Sequence, residues 1–260
     1  MIGVIAGDVV GSVHEHRRTK STDFPLFHPL CAFTDDTVLT VATAEAILTC
    51  TPYDVAYREF GRAYPHAGYG GSFYEWLRAS EPRPYNSWGN GSAMRVAPIG
   101  FAFETVDEVL NEAERSAAVT HNHREGIKGA QATALAVFMA RHGASKEEIR
   151  NDLAERFGYN LRRTVNQIRP EYKWDVSCQG SVPEAIVAFL DSSSVEDAIR
   201  LAVSLGGDAD TQTAIAGGIA EAYYGSLPDT IVTAVRKRLP PRFIEVIDAF
   251  RRAFPLATTR

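Results

Sequence analysis

Apolar residues along the chain recur at three- and four-residue intervals. After Thr34-Asp35-Asp36, residues Val38, Val41, Ala42, Ala44, Ile47 and Leu48 fall on one stripe with helical spacing. Thr105 with Glu108, and Ser145 with Glu148, have the spacing of reciprocal helix caps. Pro183 fits the first turn of a helix over 181–190, where a missing N–H costs nothing. Similar signals predict helices over 195–205 behind Ser194, over 210–224 up to a stop at Gly225, over 228–239 and over 242–254. No run alternates with the two-residue period of a strand, and 165–168 is too short to found a sheet. The expected fold class is all-α.

Near the start, Gly7-Asp8-x-x-Gly11-Ser12-x-x-Glu15 has a pattern of its own. On a helix, Gly7, Gly11 and His14 share one face, and Asp8, Ser12 and Glu15 share the neighbouring one. Small residues permit tight packing, and the acidic face either looks into a site or lies on a solvated edge. The least regular segment is 64–98, rich in glycine, proline and aromatics such as Trp76, Trp88 and Tyr85. A linker would be polar and poor in aromatics. This stretch is therefore expected to be a packed loop region that carries ligand contacts. Without a low-complexity tract or an internal repeat, residues 1–260 are read as one domain.

Composition narrows the partners. The chain has 260 residues, 45% of them hydrophobic and 23% charged, the balance of a soluble globular protein. A net charge of −5 gives no global positive field for nucleic acid. Basic residues cluster only locally, at Arg162-Arg163 with Arg169 and Lys173, and at Arg236-Lys237-Arg238 with Arg242, Arg251 and Arg252. Solvated helix faces explain such groups. Cys31, Cys50 and Cys178 are sparse and lack a C-x-x-C, so neither a disulfide scaffold nor a zinc site is expected. The opening MIGVIAGDVV has no basic region, and Asp8 interrupts it, so it does not read as a signal peptide. No segment reaches the ~20 apolar residues of a membrane span. A cytoplasmic protein is expected.

Two acidic clusters carry the candidate chemistry: Thr34-Asp35-Asp36-Thr37 and Gly206-Gly207-Asp208-Ala209-Asp210-Thr211. Each joins carboxylates to a threonine hydroxyl at a helix start. Hard oxygen donors of this kind suit Mg²⁺, Mn²⁺ or Ca²⁺. Either cluster alone is also what helix capping produces. Together they point further. Asp35 and Asp36 repel unless a cation lies between them, and Gly206-Gly207 lets the backbone approach closely while Asp208 and Asp210 point into one site.

Six blocks then resemble one family in order: GDVVGSVHE (7–15), FTDDT (33–37), SWGNGSAMR (87–95), THNHREGIKGAQA (120–132), QGSVPEAI (179–186) and SLGGDADTQTAIAGGIAEAYYG (204–225). On these residues the chain is similar to the ADP-ribosylglycohydrolases, the relatives of dinitrogen-reductase-activating glycohydrolase. The resemblance implies a compact, single-domain orthogonal helical bundle. It implies a dinuclear centre of Mg²⁺ or Mn²⁺ held by Thr34, Asp35, Asp36, Asp208, Asp210 and Thr211. Glu15, Asp35 and Asp210 take the catalytic positions. Ser87, Trp88, Gly89, Asn90, Gly91, Ser92, Met94 and His121 take the substrate-binding positions, and Val176 and Cys178 fall at the adenine end. The implied substrate is an ADP-ribosylated target, most simply a protein arginine, with ADP-ribose as product and a monomer as the usual state.

Other readings stay open at this point. A non-catalytic ADP-ribose or nucleotide binding module would keep the fold, and a hydrolase of ADP-ribosylated nucleic acid or small conjugates would keep the same half-site. An aspartate-rich prenyl or terpene enzyme fails on spacing. Such sites need D-D-x-x-D, and Leu39 and Thr40 stand where the third carboxylate belongs.

Overall fold

The computed structural model describes residues 1–225 and 227–256. Helices make up the regular structure: α1 (Ile2–His16), α2 (Asp35–Thr49), α3 (Tyr53–Ala63), α4 (Gly71–Arg78), α5 (Gly91–Met94), α6 (Ala97–Ala102), α7 (Val106–Ala118), α8 (Arg124–Arg141), α9 (Lys146–Phe157), α10 (Val165–Ile168), α11 (Cys178–Asp191), α12 (Val195–Val203), α13 (Ala209–Tyr224), α14 (Asp229–Arg236) and α15 (Pro241–Ala253). No strand occurs among the described residues, only one isolated bridge between Gly89 and Ser177. The all-α expectation holds, and the buried apolar side chains form one contiguous cluster.

Both predicted capping boxes are present, at Thr105 with Glu108 and at Ser145 with Glu148. Two expectations are corrected. The helix placed over 181–190 starts earlier, because the Ser177 hydroxyl accepts from Gly180 N and caps α11 there. Pro183 consequently lies inside α11. Its missing N–H removes the helical donor to the carbonyl of Gln179, an exposed residue. The segment 64–98 is not loop throughout, since it contains α4 and α5. Gly70-Gly71 hid α4, for glycine at a helix start offers no capping signal. Phe73 and Trp76 of α4 nonetheless bury into the core.

One packing contact positions the site. Helices α1 and α13 run antiparallel at backbone contact. A Cβ added at Gly3 would lie 2.4 Å from Gly217 O, at Gly7 2.1 Å from Thr213 O, and at Gly11 2.5 Å from Asp210 Cα. The Thr213 hydroxyl donates to Gly7 O at 2.7 Å across the same contact. At the far end, buried Glu221 accepts from the amides of Ile2 and Gly3 at 3.2 and 2.8 Å, satisfying the first turn of α1. The consequence is that Asp8 and Glu15 on α1 sit beside the N-terminus of α13. Much of the basic surface is paired: Arg163 with Glu184, Arg236 with Asp248, and Arg242 with Glu59. No helix of the described residues is long and apolar enough to cross a membrane.

Candidate active site

A cleft of about 600 Å³ opens between the starts of α2 and α13 and the segment 85–95. One wall is acidic, and Asp8 organises it. Its carboxylate is fully buried in an otherwise apolar stretch of α1. It accepts from Thr34 N at 2.9 Å, Thr34 Oγ1 at 2.7 Å and Thr37 N at 3.0 Å, and also from Thr37 Oγ1. Thr34 in turn caps α2 through Asp36 N at 3.2 Å. Asp8 therefore fixes the first turn of α2, and Asp35 N, bonded to Ala67 O at 2.8 Å, fixes the loop above it.

The other candidate carboxylates lie around that anchor. Oxygens of Glu15, Asp208 and Asp210 come within 4.8 Å of one another, drawn from α1 and from the start of α13. Asp36 is buried, and its Oδ1 has no hydrogen-bond partner. Burial first, then Asp210, Asp8 and Asp35, push the Asp36 carboxyl well above the usual range. Asp210 is raised for the same reasons, burial and then Asp208. Asp35 is pushed up to about 8 by burial, Asp8, Asp208 and Glu15. Glu15 is raised by burial and then by Asp208. Carboxylates crowded out of water repel one another, and each holds its proton unless a cation intervenes. The bare Asp36 oxygen and the all-oxygen donor set both fit a hard divalent cation.

The opposite wall carries donors. Asn90 bridges the walls, its Nδ2 donating to Asp208 Oδ2 at 2.7 Å. Glycines 89 and 91 leave room for His121, whose Nε2 would stand 3.7 and 3.2 Å from a Cβ added at each. The amides are only partly free. Gly89 N donates to Ser87 Oγ at 3.1 Å and Asn90 N to Val176 O at 2.8 Å. The amides of Gly91 and Ser92 open α5, where first-turn N–H groups have no partner within the helix. Burial, then the charge of Arg95, hold His121 well below the ordinary histidine range, so its ring stays neutral.

Most of the residues singled out in the sequence reach this cleft. Glu15, Thr34, Asp35 and Asp36 line one side, with Asp208, Asp210 and Thr211 beside them. Ser87, Trp88, Gly89, Asn90, Gly91, Met94 and His121 line the other. Trp88 and Val176 stand at the mouth, 50% and 44% exposed. Ser92 and Cys178 do not line it. The Ser92 hydroxyl is buried and donates to Gly126 O at 2.7 Å, and the Cys178 thiol lies behind the wall, donating to Gly89 O at 3.0 Å. Sequence reasoning put Asp8 on the acidic face of the first helix without giving it a role, although a carboxylate inside an apolar run must be paired. It also passed over Arg95 and Trp174, which line the cleft.

Comparisons with known proteins find relatives over most of the chain. A family profile described as ADP-ribosylglycohydrolase matches residues 1–258. The chain is 30% identical to ADP-ribosylhydrolase ARH3 of Mus musculus, over 86% of this chain and 82% of the relative. It is 27% identical to ADP-ribosylarginine hydrolase Tri1 of Pseudomonas putida (strain GB-1), over 95% of this chain and 72% of the relative. A solved structure titled "ADP-ribosylglycohydrolase-related protein complex" superposes with a TM-score of 0.74 at 26% identity, covering 97% of this chain and 96% of that one.

Proposed function

The chain belongs to the ADP-ribosylglycohydrolase family, and from that premise we propose that it is a metal-dependent hydrolase releasing ADP-ribose from a modified protein side chain, most simply arginine. The observation that carries this is the two-walled cleft, with Glu15, Asp35, Asp36, Asp208 and Asp210 facing the donor segment around Asn90 and His121. A ligand that is polyhydroxylated at one end and anionic in the middle matches that division. The single-domain reading of residues 1–260 belongs to the same proposal; Ser226 and residues 257–260 lie outside the described residues.

Thr34, Asp35, Asp36, Asp208, Asp210 and Thr211 would hold two divalent cations, Mg²⁺ or Mn²⁺. Bound there, such ions would supply Lewis-acid polarisation at the distal ribose. Hydrolysis breaks the bond from ribose C1″ to the leaving nitrogen and forms a new bond from C1″ to water oxygen, through an oxocarbenium-like state. The surrounding carboxylates stabilise that positive charge. Asp35 or Asp210 takes the proton of the attacking water, and Glu15 assists the departing group. Burial and the neighbouring Asp208 raise Glu15, which suits it to carry a proton. The Gly91 amide and His121 hold the diphosphate, and Trp88 offers a flat face to ribose or base.

The test is release of free ADP-ribose from conjugates on arginine, serine, DNA bases and acetate, each with Mg²⁺, with Mn²⁺ and with EDTA. Metal-dependent release from the arginine conjugate is expected. Release from another conjugate would move the leaving group. No release from any, with tight ADP-ribose binding by calorimetry, would replace the hydrolase by a binding module.

A further inference from the structure

Three buried side chains stand in series behind the donor wall. Arg95 and Thr120 are fully buried, and His121 is nearly so. Arg95 Nη2 donates to Thr120 Oγ1 at 2.9 Å and to Ser116 O at 3.1 Å. Thr120 Oγ1 lies 2.8 Å from His121 Nδ1. The main chain ties this corner to the cleft, since Thr120 O accepts from Tyr85 N at 3.3 Å. Among the described residues, Arg95 makes no ion pair. Its guanidinium lies instead over the rings of Tyr57 and Phe73, 4.3 and 6.0 Å from their centroids.

Proton counting orders the series. A guanidinium can only donate. One lone pair of Thr120 Oγ1 therefore accepts from Arg95, which leaves the hydroxyl its own proton to place in this buried corner. The Thr120 proton then goes to His121 Nδ1, which must be an acceptor. With the opposite tautomer Thr120 would receive protons from both Arg95 and His121, and would have to turn its own away from the ring.

We propose that Arg95 and Thr120 are positioning residues that fix His121 as the Nε2–H tautomer, aiming that proton past the Gly89–Gly91 turn at the anionic part of the ligand. This rests on the reading above, in which His121 faces the diphosphate. The burial that keeps the ring neutral makes the device complete: a single ring proton is available, and the relay decides which nitrogen carries it.

The tautomer can be read without substrate. Two-bond ¹H–¹⁵N correlation spectra of the ¹⁵N-labelled full chain near pH 7 distinguish the two forms, with the His121 signals assigned by their loss in His121→Gln. Nε2–H is expected. Thr120→Val keeps the volume and removes the hydroxyl. It should release the tautomer and weaken ADP-ribose binding about tenfold, the loss of one hydrogen bond to a charged group. Thr120→Ser should restore both. An Nδ1–H or doubly protonated ring in the wild type would overturn the proposal, and that result does not depend on any variant folding. So would a Thr120→Val protein with a changed tautomer and unchanged ADP-ribose affinity. A wild type that binds no ADP-ribose at all would bring down the functional reading and the ligand half of this one, while the spectra decide the positioning half independently.

Discussion

On one wall of the cleft Glu15, Asp35, Asp36, Asp208 and Asp210 crowd together, and every one of them is pushed toward its protonated form. On the other wall Arg95 is buried with no carboxylate partner among the described residues, beside a neutral His121. Neither wall offsets its own charge, although Asn90 physically joins them. Burying unpaired charge of one sign is costly. A site divided in this way is organised around something it is meant to hold. Asp8 sharpens the contrast from within the acidic wall. It is as buried as Asp36, yet four donors surround it, whereas one oxygen of Asp36 has none. Asp8 holds the site together, whereas Asp36 lines the cleft with one oxygen unpartnered.

The largest effect follows directly. Asp210→Ala or Asp35→Ala should lower ADP-ribose release by about a thousandfold or more, on the scale of losing a principal catalytic group. The helical circular dichroism should be unchanged. In EDTA the melting temperature should stay level or rise, because one of several mutually repelling carboxylates is gone. Retained activity in both variants would remove the acidic wall from the mechanism.

Asp8→Ala should reverse the stability sign. It strands donors at Thr34 and Thr37 in a buried place, at an expected cost of about 2–5 kcal/mol. Thermal denaturation should show the drop with or without added metal. Asp36→Ala, at the same depth, should show none in EDTA. Equal losses for the two would erase the distinction between anchor and ligand-facing residue.

Glycine substitutions separate the walls more gently. Gly11→Ala places a methyl 2.5 Å from Asp210 Cα and 2.6 Å from Ala209 O, where the obstacle is backbone. Helices α1 and α13 must separate, at about 1–3 kcal/mol for overpacking, and activity should fall with stability. Gly91→Ala meets side chains instead, the His121 ring at 3.2 Å from Nε2 and the end of Met94 at 3.9 Å. Its melting temperature should hold while ADP-ribose affinity drops about tenfold, the value of one hydrogen bond to a charged group.

The glycines also show what the sequence made legible. The spacing Gly7, Gly11 and Glu15 announced a tight helix contact with an acidic flank, and α1 packs that way on α13. The two aspartate clusters stood out together as hard oxygen donors, and the SWGNGS segment was legible through the family resemblance. Asp8 was harder to place, because its role depends on Thr34 and Thr37 from another helix. Arg95 was hidden altogether. An arginine in a segment read as loop passes for surface until the structure shows Tyr57 and Phe73 closing over it. Ser92 differs the other way: the resemblance gave it a substrate-binding position, and in α5 its buried hydroxyl donates to Gly126 O.

The smallest effect tests the acidic wall by linkage. Asp35 moves from an ordinary 3.8 to about 8 in the fold. A carboxyl raised in the folded state makes the folded chain bind more protons than the unfolded one. Its contribution to stability is therefore full below about pH 4 and is lost as pH rises toward 8. A divalent cation takes the same oxygens in their charged form, so its binding strengthens over that window. In EDTA the melting temperature should fall between pH 5 and pH 8. Adding Mg²⁺ or Mn²⁺ should raise it by a few degrees, on the scale of about 2–4 °C per kcal/mol for a chain of this size. That increment should be larger at pH 8 than at pH 5.5. The comparison of increments removes titrating groups elsewhere, such as the buried Met1 amine beside Glu221, because they contribute equally with and without the cation. An increment independent of pH would mean that the cation binds away from these carboxylates, and the acidic wall would need another ligand to account for its charge.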